Sequence, residues 1–155
     1  IYHMNNDLYL TKTGGMFVTS ILGEYNSITD ELIWVNGGHQ PAIIRDKNGN
    51  YKQFKSNSPP MGVIQQKNKY MYHVNKVKLN GDRFYAFTDG LSESLNKDGE
   101  EVGIDGSLKI IENNYNTNLS KQLSDVTKDV IKSSGDKKLS DDLTIIAIGK
   151  WIEKI

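Results

Sequence analysis

The stretch "AFTDGLSES", residues 86–94, decides how the chain is read. An apolar run that begins at Arg83 ends on Asp89, a glycine follows at once, and Glu93 comes one helical turn later. A second block, "SDDLTIIAIG", residues 140–149, has the opposite polarity: Asp141 and Asp142 precede the apolar run. If the two runs are antiparallel neighbours, the end of one lies beside the start of the other. Asp89 and Asp141, 52 positions apart in sequence, then meet at one sheet edge. Paired carboxylates repel unless a cation or a proton joins them, and oxygen-only donors suit hard dications such as Mg²⁺ or Mn²⁺. Asp-Gly is also ordinary turn chemistry, and the simpler reading of Ser140-Asp141-Asp142 is a solvated strand entry. Spacing alone leaves both readings open.

Working outward, strands dominate up to this point. "MFVTSILGEYN" (16–26) is β-branched and aromatic, and "ELIWVNGG" (31–38) carries four consecutive apolar residues, which predicts a strand covered on both faces. "NSITD" between them reads as a turn. "PAIIRD" and "YKQF" flank Asn48-Gly49, a strong hairpin signal. Asp46, Asn48 and Asn50 begin like a calcium loop, but position twelve is Asn57, so the hairpin reading is preferred. "NSPPMG" reads as a rigid loop, "YMYHVNKVKL" (70–79) as an alternating strand, and Asn80-Gly81-Asp82 as the turn into "RFYAFT".

Helices follow residue 90. Ile104, Leu108, Ile111 and Tyr115 form one apolar stripe, and Leu119, Leu123, Val126 and Val130 another. Asn118 or Ser120 caps the second helix at its start and Gly135 ends it. Residues 1–12 read as the tail of an amphipathic helix ended by Thr13-Gly14-Gly15. "LTIIAIGKW" is apolar on both faces and predicts a central strand. The result is an α+β domain of six or seven mainly antiparallel strands with flanking helices.

Bulk properties narrow the function classes. The 155 residues suit one domain. Nineteen basic residues balance nineteen acidic ones, so no overall field attracts nucleic acid or an anionic membrane. With no cysteine, disulfides and thiolate metal sites are excluded, and the three widely spaced histidines give no zinc pattern. No apolar run is long enough to span a bilayer, and "IYHMNNDLYL" is unlike a signal peptide. The expected compartment is the cytoplasm, with any membrane tether of a longer parent lying upstream. His39, in "GGHQP" (37–41), sits in a glycine loop that permits close backbone approach to a ligand, but a loop histidine there is slightly more often structural than catalytic. "NKDGE" (96–100) reads as a solvated turn.

The ordered blocks "FVTSILGEYNSITDELIWVNGGHQPAII", "PPMGV", "LNGDRFYAFTDGLSESLNKDGEEVG" and "SDDLTIIAIG" resemble the SpoIIE/RsbU-type serine phosphatases of the metal-dependent PPM, or PP2C-like, class. The resemblance covers about residues 15–149. It implies an α/β-β/α sandwich and a phosphatase acting on phosphoserine or phosphothreonine. Two Mn²⁺ or Mg²⁺ ions would hold a water that attacks phosphorus in line, with no phospho-enzyme. The implied partner resembles a phosphorylated anti-sigma-factor antagonist in a bacterial partner-switching system. By this resemblance Asp89 and Asp141 are metal ligands, and Gly90 permits the tight turn beside them. Glu93 lies where relatives carry an acidic residue near a weaker metal, His39 where relatives carry an aspartate, and Asp142 at a position often occupied by asparagine.

The family's opening blocks, "GGD" and then "DGHG" or "DVSGHG", have no counterpart here. They supply the aspartate that bridges both metals. The expectation is therefore that residues 1–155 resemble the C-terminal two-thirds of one phosphatase domain, lacking its first strands, and are inactive alone. Exposed sheet edges would favour self-association. The alternative is a non-catalytic partner-binding module of the same fold.

Overall fold

The computed structural model describes residues 1–11, 15–67, 72–134 and 141–150. In chain order the elements are α1 (Tyr2–Thr11), β1 (Ser20–Asn26), β2 (Glu31–Gly37), β3 (Ala42–Arg45), β4 (Tyr51–Phe54), β5 (Asn75–Lys78), β6 (Arg83–Phe87), α2 (Asp89–Ser92), α3 (Gly103–Asn113), α4 (Leu119–Ser133) and β7 (Ile145–Ile148). This is the expected α+β class, with two antiparallel sheets. The chain divides into two compact units, residues 1–42 with 53–80, and residues 43–52 with 81–155.

The first unit carries α1 and the sheet ordered β1-β2-β5. The "NSITD" spacer is the expected turn. The Asn26 side chain accepts from the amides of Ile28 and Thr29, and Asp30 closes the turn at φ 60°. Asp30 then anchors three groups: the Tyr25 hydroxyl at 2.7 Å, the Asn80 amide at 2.9 Å and, through its carbonyl, the Leu79 amide. Buried Leu32, Trp34 and Val35 show that β2 is the sheet's covered centre, as its unbroken apolar run predicts. The buried Asn5 side chain donates to the Ile64 carbonyl and accepts from the Gly62 amide, which fixes the "PPMGV" loop to α1.

The expected strand over 70–79 is shorter. Only Asn75–Lys78 pairs with β2, Tyr72, His73 and Val74 are outside it, and residues 68–71 lie outside the described residues. Likewise Met16–Thr19 contribute one isolated bridge, Val18 to Met61, instead of a strand. The proposed stop of α1 falls mostly on residues 12–14, and that of α4 on Gly135; both lie outside the described residues.

In the second unit the sheet order is β4-β3-β6-β7. Every residue of β6 is buried, as "RFYAF" requires for a central strand. Ile43, Tyr85, Phe87, Leu91, Ile111, Val126 and Val130 form one core under α3 and α4. At ~25 cal/mol per Å² of apolar surface, such burial is the main favourable contribution to folding. Asn118 caps α4 by accepting from the Lys121 amide at 3.0 Å. The β3–β4 turn is closed by Asp46, whose carboxylate accepts from the Asn48 and Asn50 amides and the Asn50 side chain. This confirms the hairpin over the calcium loop.

Two expectations are corrected. β7 is an edge strand among the described residues, and Ile146 is 54% exposed. Its apolar run reported hydrophobicity, not strand order. Tyr115 lies beyond α3, where its ring stacks under the guanidiniums of Arg45 at 3.9 Å and Arg83 at 4.6 Å. Aromatic faces attract such cations, and this replaces the helical stripe position.

Candidate metal centre

β6 and β7 are antiparallel neighbours, with Phe87 opposite Ile145. Asp89, two residues past the last β6 pair, and Asp141–Asp142, three to four residues before the first β7 pair, therefore lie at the same end of the sheet. The ladder is extended by one backbone and two side-chain hydrogen bonds. The Thr88 amide donates to the Thr144 carbonyl at 3.0 Å, and the Thr144 amide donates to the Thr88 hydroxyl at 3.0 Å. The same hydroxyl donates to the Asp142 carbonyl at 2.9 Å.

α2 starts on Asp89 and is one turn long. Gly90 is buried in it, and a Cβ there would stand 2.6 Å from the Asp142 carbonyl oxygen. Its φ is not in the left-handed region, so glycine is needed for close approach and not for the turn itself. Glu93 is exposed at the end of α2, and its amide donates to the Asp89 carbonyl at 2.7 Å. The Asp141 Oδ1 accepts from the Asp142 amide at 2.7 Å. Asp89, Asp141 and Asp142 are all exposed. The hydroxyls of Ser92 and Ser94 donate to the backbone carbonyls of Asp89 and Leu91.

The donor chemistry at this edge suits a hard dication: carboxylate oxygens that engage no lysine or arginine among the described residues. The donor number is low, because no group of three or more His, Cys, Asp or Glu able to hold a metal occurs among those residues. Two carboxylates leave most of a magnesium coordination sphere to water. The residues present fit a weak, largely hydrated site.

His39 belongs to the first unit. Its loop is fixed by buried Asn36, which accepts from the His39 amide at 2.9 Å and donates to the Gln40 carbonyl at 2.8 Å. The His39 Nδ1 accepts from the Gln40 amide. Gly38 at φ 72° packs on Pro60 of "NSPPMG", where any Cβ would collide with the ring. His3 and His73 are exposed.

Thr88 is the residue that sequence reading passed over. A threonine at a helix start ordinarily caps that helix. Here it precedes α2 without making a side-chain cap and spends its hydroxyl on the β7 approach.

Comparison with known proteins places the chain in a family. Residues 1–150 match the family described as Stage II sporulation protein E, SpoIIE. The chain belongs to this family. Protein IcfG of Synechocystis is 24% identical over 149 residues, spanning 94% of this chain and 23% of IcfG. The PP2C phosphatase domain of Bacillus subtilis SpoIIE, solved with a fragment of its regulatory domain, superposes with a TM-score of 0.74 at 18% identity, over 94% of this chain and 42% of that one. A manganese-presoaked structure of the same phosphatase domain gives 0.67 at 15% identity, over 99% and 66%. The RsbU and RsbW domains of a Mycobacterium tuberculosis protein give 0.70 at 19% identity, over 92% and 38%. The chain thus spans less than two-thirds of each of these relatives. Among the described residues no helix is long and apolar enough to cross a membrane.

Proposed function

We propose that this chain is the part of a protein serine/threonine phosphatase domain that carries two of its metal ligands, Asp89 and Asp141. The observation behind this reading is the Phe87–Ile145 pairing, which sets both aspartates at one end of adjacent antiparallel strands. Mn²⁺ or Mg²⁺ would supply an activated water and neutralise charge on the phosphoryl oxygens. The chain's own contribution would be to hold two carboxylates at one end of paired strands and to keep the Asp141 Oδ1 on the Asp142 amide, which leaves the other carboxylate oxygen as the atom that would bind a cation. Gly90 sets the closeness of the two strand ends. Glu93, one turn behind Asp89, and Asp142, whose carbonyl joins the two strand ends, complete the periphery. His39 is proposed only as a loop residue of the same domain.

The substrate class is a phosphoserine or phosphothreonine on a small regulatory protein similar to an anti-sigma-factor antagonist. The RsbU and RsbW domains joined in one solved relative support a partner-switching setting. Residues 1–155 are read as one part of a single phosphatase domain. With fewer than three clustered ligands among the described residues, turnover by this chain alone is expected to be slight. The same observation favours a second reading, a non-catalytic module that docks a partner through the PP2C fold.

Manganese-dependent hydrolysis of p-nitrophenyl phosphate tests the first reading. The expected rate is a small fraction of that of a complete family member, and Asp89→Asn abolishes it. A residual rate indifferent to Asp89→Asn or to metal removal would contradict the assignment.

A further inference from the structure

We propose that Thr88 is a positioning residue for the carboxylate pair: its hydroxyl fixes the separation between Asp89 and the Asp141–Asp142 turn, and so sets how tightly they hold a dication. This inference rests on the metal reading above. Thr88 is the residue immediately before Asp89 and would touch neither metal nor substrate.

Three observations carry it. First, the hydroxyl is used twice, donating to the Asp142 carbonyl at 2.9 Å and accepting from the Thr144 amide at 3.0 Å. A hydroxyl has one proton to give and two lone pairs to receive, so both links form without competition. Second, the backbone adds the Thr88 amide to Thr144 carbonyl bond at 3.0 Å. The two strand ends are thus tied at three points flanking the aspartates. Third, Thr88 occupies the N-cap of α2 with extended backbone angles, φ −76° and ψ 166°, yet makes no side-chain cap. A cap would serve only the helix. Reaching across to β7 serves the spacing of the two aspartates.

The geometry also explains why the residue must be a hydroxyl-bearing one. Valine has nearly the same shape, but it would leave the Thr144 amide and the Asp142 carbonyl without this partner. The Asp142 carbonyl is also the atom that Gly90 packs against, so any shift of that carbonyl changes the approach of Asp141 to Asp89. Residues behind metal ligands typically change metal affinity by about 10- to 100-fold when altered.

The test is a Mn²⁺ titration of the full chain followed by paramagnetic broadening of amide resonances at residues 88–91 and 141–144. Thr88→Val is expected to move the midpoint about tenfold or more to higher Mn²⁺, and Thr88→Ser to restore it. Asp89→Asn is run in parallel. If Asp89→Asn leaves the midpoint unchanged, the metal reading itself fails. If Asp89→Asn weakens binding while Thr88→Val lowers only the melting temperature, Thr88 is merely structural and the proposal is overturned. Should Thr88→Val not fold, hydrogen exchange of the Thr144 amide in the unaltered chain decides. Slow exchange that slows further with Mn²⁺ supports the proposal, and exchange that ignores Mn²⁺ or runs at the rate of an unstructured peptide refutes it.

Discussion

Gly90 and Asp142 are in contact so close that no other residue type fits at position 90: a Cβ there would lie 2.6 Å from the Asp142 carbonyl oxygen and 2.8 Å from its carbonyl carbon. Both neighbours are backbone, so neither can swing aside as a flexible side chain would. Gly90→Ala is expected to cost about 1–3 kcal/mol of stability through overpacking, and to weaken Mn²⁺ binding by pushing the Asp141–Asp142 turn outward. Urea denaturation with and without Mn²⁺ measures both effects. An alanine variant as stable as the parent would show that the two strand ends are not in contact.

The second unit depends on a buried glutamine. Gln122 is fully buried; its Oε1 accepts from the Arg83 guanidinium at 2.7 Å and the Tyr85 hydroxyl at 3.1 Å, and its Nε2 donates to the Ile111 carbonyl at 3.1 Å. Gln122→Leu preserves approximate volume but removes the partner of the Tyr85 hydroxyl and the Ile111 carbonyl, while the Arg83 guanidinium keeps the Asn116 and Thr117 carbonyls. Each buried group left without its hydrogen bond costs about 1–3 kcal/mol. Equilibrium denaturation is expected to show a loss of that order or more, and a neutral substitution would refute the network.

Acid should weaken the same unit. Glu112 accepts from the Arg45 Nε at 2.7 Å and Nη2 at 2.8 Å, and from the Tyr51 hydroxyl at 2.6 Å. The hydrogen bonds from Arg45 are the main reason its carboxyl is held below the ordinary 4.5. A carboxyl lowered in the folded state contributes stability that is complete above its unfolded value and disappears as pH falls through its folded value. Stability is therefore expected to decline below about pH 4.5, and Glu112→Gln should flatten that decline. At neutral pH the substitution should cost about 1–2 kcal/mol, a moderate figure because Glu112 is half-exposed and water screens the pair. Denaturation midpoints for both proteins across this pH range give the comparison.

Self-association is expected through β7. It is an edge strand among the described residues, and Ile146 on it is more than half exposed. Unpaired strand edges with apolar side chains recruit other strands. Light scattering should show mass rising with concentration, and Ile146→Lys should reduce it. A concentration-independent monomer would remove this expectation.

The fold was legible where chemistry is local. Asn48-Gly49 specified a hairpin because its turn needs positive φ, and Asn118 specified a helix start because its side chain caps one. "RFYAF" specified a buried strand because every position is apolar or stacked. Strand order was less legible. "LTIIAIG" is as apolar as a central strand, yet it occupies an edge, because hydrophobicity reports burial of faces and not pairing of edges. That Asp89 and Asp141 follow and precede paired strands at one sheet end was legible only as a condition, that the two apolar runs be neighbours. The role of Thr88 was hidden, since its two partners lie 54 and 56 residues away in sequence and nothing local marks a side chain that declines to cap its own helix.

The most direct measurement of the central claim is Mn²⁺ binding, counted from the free-ion electron paramagnetic resonance signal, for the parent chain, Asp89→Asn, Asp141→Asn and the double variant. The parent is expected to bind weakly, each single variant to show a marked loss and the double variant little further loss, as two carboxylates that share one ion would. Binding unaffected by both single substitutions, or losses that simply add as at independent sites, would contradict that claim.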